Sequence, residues 1–250
     1  MLLLATDLDG TFLGGKPECR EQLYRIVSTR EDIILSFVTG RGIESVITLL
    51  KNPAIPNPDY IICDVGATIV DGTSFLPIQP LQDEINLVWP GNDVVSAKLS
   101  QVKGLTPQPV PQTRRCSYFF NDSTDMNLLF ELVAELGCDV VVSGGRFADV
   151  LPKGVNKGSS LKKLIQLLEF PEESILVAGD TLNDLSLYET GYKAVVVGEA
   201  EPALLEATLN KSHVFTAVDP GAGGILQAIK HFKEFEKVAF PEDLDVIASN

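Results

Sequence analysis

The chain has 250 residues, 45% of them hydrophobic, and carries a formal net charge of −14 at neutral pH. This length and composition predict a packed core in one large domain or two small ones. The acidic balance argues against a nucleic-acid partner, because binding to phosphate backbones requires a basic surface.

The sequence shows no sign of membrane insertion or of a cysteine framework. No apolar run approaches the roughly 20 residues that a membrane helix needs, and Met1 opens directly into an apolar run that ends in acids. We therefore expect a cytoplasmic protein without a membrane partner. The four cysteines have no C-x-x-C spacing, so we predict neither a zinc site nor a disulfide framework.

Apolar runs that predict buried strands alternate with amphipathic repeats that predict helices. The predicted strands are residues 2–6, 33–38, 60–63, 174–178, 194–197 and 213–216. The predicted helices are residues 19–28, 44–50, 160–168, 182–189 and 224–232. This alternation predicts an α/β fold with a doubly wound parallel sheet.

The alternation breaks in the middle of the chain, where prolines crowd both approaches. Here the pattern predicts two helices, at residues 94–102 and 125–136. It also predicts three strands, at residues 114–121, 139–143 and 146–151. A Gly-Gly pair joins the last two strands as a hairpin. We predict a small α+β domain, residues 80–152, inserted into a core of residues 1–79 and 153–250. The acidic stretch after Phe240 is expected to be a loose end.

The first predicted strand ends in D-L-D-G-T, which places Asp7 and Asp9 at its carboxyl end. Ligands of open parallel sheets bind at this edge. Two neighbouring acids repel each other, and a divalent cation is the simplest group that neutralises both. Gly10 permits a tight turn that approaches an anion closely. An ordinary acidic turn is the alternative for this segment taken alone.

Two further segments suit an anion such as phosphate. Thr39, Gly40 and Arg41 follow the second strand and offer a hydroxyl, a backbone N–H and a guanidinium. A helix N-cap is the alternative role, and Thr39 can serve in both. Lys157 precedes a predicted helix, where the helix dipole disfavours a cation unless the side chain points at an anion. A solvated surface lysine is the alternative there.

A second acidic cluster follows the strand at residues 174–178, in the order Asp180, Asn183, Asp184. Asp180 would be desolvated beside Asp7 and Asp9 unless a cation lies among them. Asp184 has an alternative role as the cap of the next helix. Together these segments predict a site of oxygen ligands for Mg²⁺, which keeps waters and bridges carboxylates to a phosphate oxygen.

In this order the four motifs resemble those of the haloacid dehalogenase (HAD) superfamily of aspartyl-phosphate phosphatases. The matches are D-x-D-G-T from Asp7, T-G-R from Thr39, the lysine at Lys157 and G-D-x-x-N-D from Gly179. The inserted domain lies between the second and third motifs, where one branch of that superfamily carries a substrate-sensing cap. The resemblance therefore implies a HAD-like core with a small α+β cap.

Within that branch the chain looks most like the sucrose-phosphatase family. The segments that support this likeness are residues 58–62, 117–118, 149–152, 156–158 and 223–232. Thr68 is a departure, because members of that family commonly place an acidic residue shortly after the glycine that here is Gly66. Phosphatases for other disaccharide phosphates, such as mannosylfructose phosphate, share most of these features.

The resemblance implies Mg²⁺-dependent hydrolysis of a sugar phosphate monoester, with sucrose 6-phosphate as the first expectation. Asp7 is implied to be the nucleophile and Asp9 the general acid and base. The implied Mg²⁺ ligands are Asp7, the backbone carbonyl of Asp9, Asp180 and Asp184. The phosphate oxygens are implied to bind Thr39, Gly40, Lys157 and Asn183. Arg41, Tyr118 and Asp149 are expected to contact the sugar hydroxyls.

Several alternatives remain open. The substrate could be mannosylfructose phosphate, glucosylglycerol phosphate or a hexose phosphate. A mutase would carry the same motifs but release no inorganic phosphate. An inactive sugar-phosphate-binding module is a third alternative, against which the intact pair of Asp7 and Asp9 argues. Association with a glycosyltransferase is a further partner hypothesis.

Overall fold

A mostly parallel seven-stranded sheet forms the centre of the protein in a computed structural model that describes residues 1–240. Its strands are β1 (Leu2–Thr6), β2 (Ile33–Val38), β3 (Tyr60–Cys63), β4 (Thr68–Asp71), β9 (Ile175–Gly179), β10 (Lys193–Gly198) and β11 (Val214–Pro220). Their spatial order is β11-β10-β9-β1-β2-β3-β4, so the chain starts in the middle of the sheet. The acidic stretch after Phe240 lies outside the described residues.

The predicted doubly wound parallel sheet is confirmed, with one correction at its edge. β4 was not predicted, and it pairs antiparallel to β3 while all other neighbours in the sheet are parallel. Only four residues separate the end of β3 from the start of β4, a length that suits a tight antiparallel return rather than a helical crossover.

Helices cover both faces of this sheet because its strands are apolar on both sides. Along β1, Leu2 and Leu4 belong to one apolar cluster, whereas Leu3 and Ala5 belong to the other. On the first face pack α1 (Pro17–Thr29), α2 (Ile43–Leu50), α9 (Ala222–His231) and α10 (Lys233–Ala239). On the second face pack α3 (Leu81–Val88), α6 (Lys157–Leu167), α7 (Leu185–Tyr188) and α8 (Pro202–Thr208). Within residues 1–240, no helix combines the length and the apolar character needed to cross a bilayer.

A second, four-stranded antiparallel sheet forms a smaller unit inserted between β4 and α6. Its elements are α4 (Asn92–Leu99), β5 (Thr106–Pro107), β6 (Cys116–Phe119), α5 (Met126–Glu135), β7 (Cys138–Ser143) and β8 (Phe147–Pro152). The strand order is β5-β6-β8-β7, and an apolar cluster between this sheet and its two helices includes Val95, Leu129 and Val150. The predicted α+β insertion and its Gly-Gly hairpin are therefore present. Below, the two parts are called the larger unit and the inserted unit.

The helix α3 packs on the larger unit, although residue 80 was the predicted boundary. Leu81 and Ile85 belong to the second apolar cluster of the large sheet. The Gln82 side chain accepts a hydrogen bond from the Ile69 N–H (2.9 Å) and donates one to the Ala67 carbonyl (3.2 Å). We therefore propose that the inserted unit begins after α3.

The parallel pairing brings the carboxyl ends of the central strands to one edge of the sheet. Thr6 of β1 lies opposite Phe37 of β2 and Ala178 of β9. Asp7 continues this pairing, because its N–H donates to the Ala178 carbonyl at 2.9 Å. The N–H of Thr39 likewise donates to a carbonyl of β3 at 2.8 Å. Motifs that are far apart in sequence thus follow strands that are neighbours in space.

α6 approaches α7 backbone to backbone at Gly158. A Cβ atom at this position would lie 2.0 Å from the Ser186 carbonyl oxygen. The Gly158 N–H also donates to the Ser186 Oγ at 3.0 Å. This close approach fixes the first turn of α6, which begins with Lys157.

We expect Gly158→Ala to lower the free energy of unfolding by about 1–3 kcal/mol, because the added methyl group forces the two helices apart. The sign is informative, since alanine normally stabilises a helix interior relative to glycine. Urea unfolding followed by circular dichroism measures the change. Lys162→Ala, at an exposed position of the same helix, is the control and should stay within about 0.5 kcal/mol. A Gly158→Ala variant as stable as the wild type would contradict the packing argument.

Candidate active site

The turn after β1 and the turn after β9 are locked together. The turn over Leu8–Phe12 contains Gly10 at φ +80°, and a Cβ at Gly10 would lie 2.1 Å from Asp180 Oδ2. The position therefore requires glycine for its backbone conformation and for space. The Thr11 hydroxyl donates to Asp180 Oδ1 at 2.8 Å. The first motif thus holds one oxygen of Asp180 in place.

Asp7, Asp180 and Asp184 form an acidic cluster at this edge of the sheet. Each offers one carboxylate oxygen within 4.8 Å of the others. Burial raises the pKa of Asp7 to about 8 although Lys157 opposes the shift, and the charge of Asp184 acts in the same direction as burial. Burial and the charge of Asp184 also raise the pKa of Asp180 to about 6. Three ionised carboxylates this close are unfavourable unless positive charge lies among them.

Lys157 supplies part of that positive charge from a fully buried position. Its Nζ donates to Asp184 Oδ1 (2.6 Å), Asp7 Oδ1 (2.7 Å) and Asn183 Oδ1 (2.9 Å), which uses all three ammonium hydrogens. Burial lowers the pKa of Lys157, but the charges of Asp184 and Asp7 outweigh it, so the pKa lies above its ordinary value. Asn156, the residue before Lys157, caps α6, because its side-chain oxygen accepts from the Ser159 N–H at 2.8 Å. The lysine therefore faces anions, not solvent.

The carboxylate of Asp184 does not cap α7, the helix that follows it, because it accepts no hydrogen bond from that helix. Its Oδ2 instead accepts the N–H groups of Asp180 (3.0 Å) and Thr181 (3.1 Å) in the preceding turn, while Oδ1 accepts from Lys157. In residues 1–240, no hydrogen bond reaches the Oδ2 atoms of Asp7 and Asp180. Two carboxylate oxygens with a third acid behind them match the way Mg²⁺ binds, through one or two carboxylates, waters and substrate phosphate. The residues present therefore fit a hard divalent cation.

The carboxylate of Asp9 lies apart from this cluster and is paired with Arg41. Its two oxygens accept from the Arg41 Nε (2.7 Å) and from a terminal guanidinium nitrogen (2.5 Å). The Asp9 side chain is 61% exposed, so the pair lies at the mouth of the site. Arg41, expected to contact the sugar, is therefore engaged by Asp9. The contact of the Asp9 carbonyl with a metal stays a prediction.

A cavity of about 400 Å³ separates the sheet edge from the inserted unit. The predicted residues that line it are Asp7, Asp9, Thr39, Gly40, Arg41, Asn183 and Asp149. Lys157 lies behind Asp7 and does not line the cavity. Asn183 Nδ2 is 3.6 Å from the point where a Cβ of Gly40 would stand, so these two predicted phosphate donors are neighbours.

The structure does not bring Tyr118 to the cavity, which corrects our expectation for this residue. Tyr118 is 5% exposed in the apolar cluster of the inserted unit, and its hydroxyl lies 3.5 Å from Ser96 Oγ. Neighbouring residues of a strand point to opposite faces, and here Ser117 takes the other face. The Ser117 hydroxyl donates to Asp149 Oδ1 at 2.5 Å. The sequence alone did not indicate which residues of β6 point toward the cavity and which toward the apolar cluster.

Sequence reasoning also missed cavity residues of the inserted unit, above all Ser143, Phe147 and Arg115. The register pairs Ser143 with Phe147, and Phe147 shares a face with Asp149 two residues later. The alternation around the predicted hairpin could therefore have identified Phe147. Arg115 immediately precedes β6 and gave no such signal.

Comparison with known proteins agrees with this geometry. A family model described as sucrose-6F-phosphate phosphohydrolase matches residues 1–233. The chain is 52% identical over 232 residues to glucosylglycerol-phosphate synthase of Pseudomonas anguilliseptica, covering 92% of this chain but 31% of that protein. It is 28% identical over 240 residues to mannosylfructose-phosphate phosphatase of Agrobacterium fabrum, covering 92% and 96% of the two proteins. The structure of sucrose-phosphatase from Synechocystis sp. PCC6803 in complex with sucrose and phosphate superposes with a TM-score of 0.83 at 30% identity, covering 93% of this chain and 98% of that chain.

We expect Lys157→Met to lower the free energy of unfolding by about 3–5 kcal/mol in metal-free buffer, because it leaves two buried carboxylates without their partner. Urea unfolding in the presence of a chelator measures this loss. Lys163→Met is the matched control, since its ion pair with Glu84 is exposed at both ends and contributes at most about 1 kcal/mol. Equal losses in the two variants would show that the buried contacts of Lys157 contribute no more than a surface pair.

Proposed function

The chain belongs to the sucrose-6F-phosphate phosphohydrolase family, within the HAD superfamily of its structural neighbours, and we propose that it hydrolyses a sugar phosphate monoester through a phosphate ester of Asp7. The observation that carries this proposal is the cluster of Asp7, Asp180 and Asp184, in which buried Lys157 contacts Asp7 and Asp184 and Asp7 lines the cavity beneath the inserted unit. The chain spans about a third of the glucosylglycerol-phosphate synthase it matches, so the proposal concerns this chain alone.

In the first step, one carboxylate oxygen of Asp7 attacks phosphorus while the bond from phosphorus to the sugar oxygen breaks. Lys157 and the N–H contact to Ala178 hold the Asp7 side chain and backbone in place for this attack. Asp9 gives its proton to the departing sugar oxygen. While both its oxygens accept from Arg41, Asp9 is a carboxylate with no proton to give. It must therefore leave Arg41 and take up a proton from water before it can act as the acid.

In the second step, the Asp9 carboxylate takes a proton from a water molecule that attacks phosphorus. The bond between phosphorus and Asp7 breaks, inorganic phosphate leaves, and both carboxyl groups return to their starting state. One residue therefore acts as acid and then as base. The inserted unit lies over the cavity and would keep bulk water away during the first transfer.

Asp7 and Asp180 would hold a Mg²⁺ ion, with Asp184 and the Asp9 carbonyl in support. Such an ion supplies positive charge that offsets the repulsion between the carboxylate nucleophile and the phosphate dianion. The remaining phosphate oxygens have Thr39, the Gly40 N–H and Asn183 within the same cavity. These local donors supply the positive potential for an anionic substrate, because the chain as a whole carries a net charge of −14.

For the sugar, we propose a phosphorylated glycoside and place glucosylglycerol phosphate first. The relative that is 52% identical carries that compound in its name. Relatives named for mannosylfructose phosphate and sucrose phosphate are 28%, 30% and 31% identical. Sucrose 6-phosphate, the first expectation from the sequence, is the second candidate. A synthase of a glycoside phosphate makes the compound that this chain would hydrolyse, which supports a glycosyltransferase as a partner.

Release of inorganic phosphate from four compounds tests this function and its substrate. We expect kcat/KM to be about tenfold or more higher for glucosylglycerol phosphate than for sucrose 6-phosphate, mannosylfructose phosphate or glucose 6-phosphate. Release should require Mg²⁺ and stop in excess chelator. Equal rates on all four compounds would contradict the choice of glycoside. A sugar phosphate isomerised without free phosphate would indicate a mutase, and binding without either product an inactive module.

Asp7→Asn should lower kcat on the order of 10³-fold or more, because an amide oxygen cannot form the phosphate ester. Phosphate release measures activity, and the urea midpoint shows whether the fold is kept. Asp122→Asn, an exposed acid of the inserted unit, is the control and should match the wild type. A folded Asp7→Asn variant with activity near the wild type would rule out Asp7 as the nucleophile.

A further inference from the structure

Two adjacent arginines of the inserted unit reach across to the larger unit. Arg114 donates to the Ala67 carbonyl (3.2 Å) and to the Thr68 hydroxyl (3.0 Å). Arg115 donates to the Gly40 carbonyl at 2.5 Å. Both therefore hold the two units together, but only Arg115 touches the loop that carries the proposed phosphate donors.

The guanidinium of Arg115 is buried among acids from both units. It is 4% exposed, lies 3.2 Å from Asp64 Oδ1 of the larger unit and 3.8 Å from Asp149 Oδ1 of the inserted unit. A buried guanidinium is tolerated only when its donors are well paired. Yet the Arg115 Nε is one of two buried side-chain polar atoms without a hydrogen-bond partner in residues 1–240. Other atoms of Arg115 line the cavity.

The contact with Gly40 completes a regular arrangement of the loop. Val65 N–H donates to the Thr39 carbonyl (3.1 Å), and Asp64 N–H donates to the Arg41 carbonyl (2.8 Å). Three successive carbonyls, those of residues 39 to 41, are thus each held by a donor from outside the loop. A peptide C=O and the next N–H point in opposite directions, so fixing the Thr39 and Gly40 carbonyls also orients the N–H groups of Gly40 and Arg41.

The partner segment of this loop is strained, as at many functional sites. Asp64 and Val65 have φ values of +54° and +57°, a left-handed region that is sterically unfavourable for a residue with a side chain. Such a conformation persists only where surrounding contacts determine it. The ion pair of Arg115 with Asp64 and the hydrogen bond from the Thr68 hydroxyl to Asp64 Oδ2 (2.8 Å) are two of these contacts.

We propose that Arg115 is a positioning residue through which the inserted unit sets the geometry of the phosphate-binding loop. This inference rests on the proposed function and adds a role to the inserted unit beyond covering the cavity. When the unit is seated, one guanidinium orients the peptide after Gly40 and braces the strained turn at Asp64. When the unit is displaced, the loop loses the donor to its middle carbonyl.

Arg115→Met, Arg115→Lys and Arg114→Met test this role with p-nitrophenyl phosphate, which lacks a sugar, and with the best sugar phosphate. We expect Arg115→Met to lower kcat about 10- to 100-fold on both compounds, because the loop itself is misplaced. Arg115→Lys should recover part of this loss. Arg114→Met removes a contact between the two units but keeps the donor to the Gly40 carbonyl. It should therefore lower kcat on p-nitrophenyl phosphate clearly less than Arg115→Met does, and mainly raise KM for the sugar phosphate.

A second measurement does not depend on turnover. The rise in melting temperature caused by inorganic phosphate with Mg²⁺ should be smaller in Arg115→Lys than in Arg114→Met or the wild type. If Arg115→Met does not fold, Arg115→Lys is used in both the activity assay and the melting-temperature measurement. A positioning role is overturned if the Arg114 and Arg115 variants lose the same activity and phosphate response. A wild type that binds phosphate but releases none from any ester would instead overturn the proposed function.

Discussion

The contact of the buried Lys157 ammonium with Asp7 and Asp184 is the interaction on which the rest of the site depends. In the low dielectric of the sheet edge, three carboxylates within 4.8 Å of one another are tolerable only with compensating charge. One ammonium against three carboxylates leaves two negative charges, which is the charge that a divalent cation balances. Lys157 therefore balances only part of the negative charge of the cluster, and the remaining charge suits a divalent metal ion.

This lysine is held where helix electrostatics oppose it, at the first position of α6. The fold keeps it there by local means, through the cap made by Asn156 and the close packing of Gly158 on Ser186. The two carboxylates then outweigh the helix dipole. Position in the fold and charge at the site are thus parts of one arrangement, and a solvated lysine at residue 157 would contribute to neither.

The sequence predicted the site residues that follow from strand topology alone, and it missed those that depend on side-chain orientation or on contacts between the two units. Asp7, Thr39 and Asp180 could be brought together without knowing any side-chain contact, because carboxyl ends of parallel strands share one edge. Tyr118 could not be placed, since a strand with a helix on one face and a cavity on the other accepts apolar residues on both. Arg115 and its contact with Asp64 depend on the seating of two units and on a positive φ, and neither leaves a pattern along the chain.

The chain as a whole is strongly negative, whereas the proposed site must attract an anion. The two are compatible because distant charges are screened. At physiological ionic strength, exposed charges are largely screened beyond about 8 Å, so much of the net −14 has little effect inside the cavity. What a phosphate meets there is set by nearby groups: Lys157 behind Asp7, Arg41 at the mouth, and the N–H of Gly40. The backbone contribution depends on orientation, since an N–H attracts an anion only when its peptide is turned toward it. Holding three successive carbonyls from behind is therefore as much an electrostatic device as a structural one.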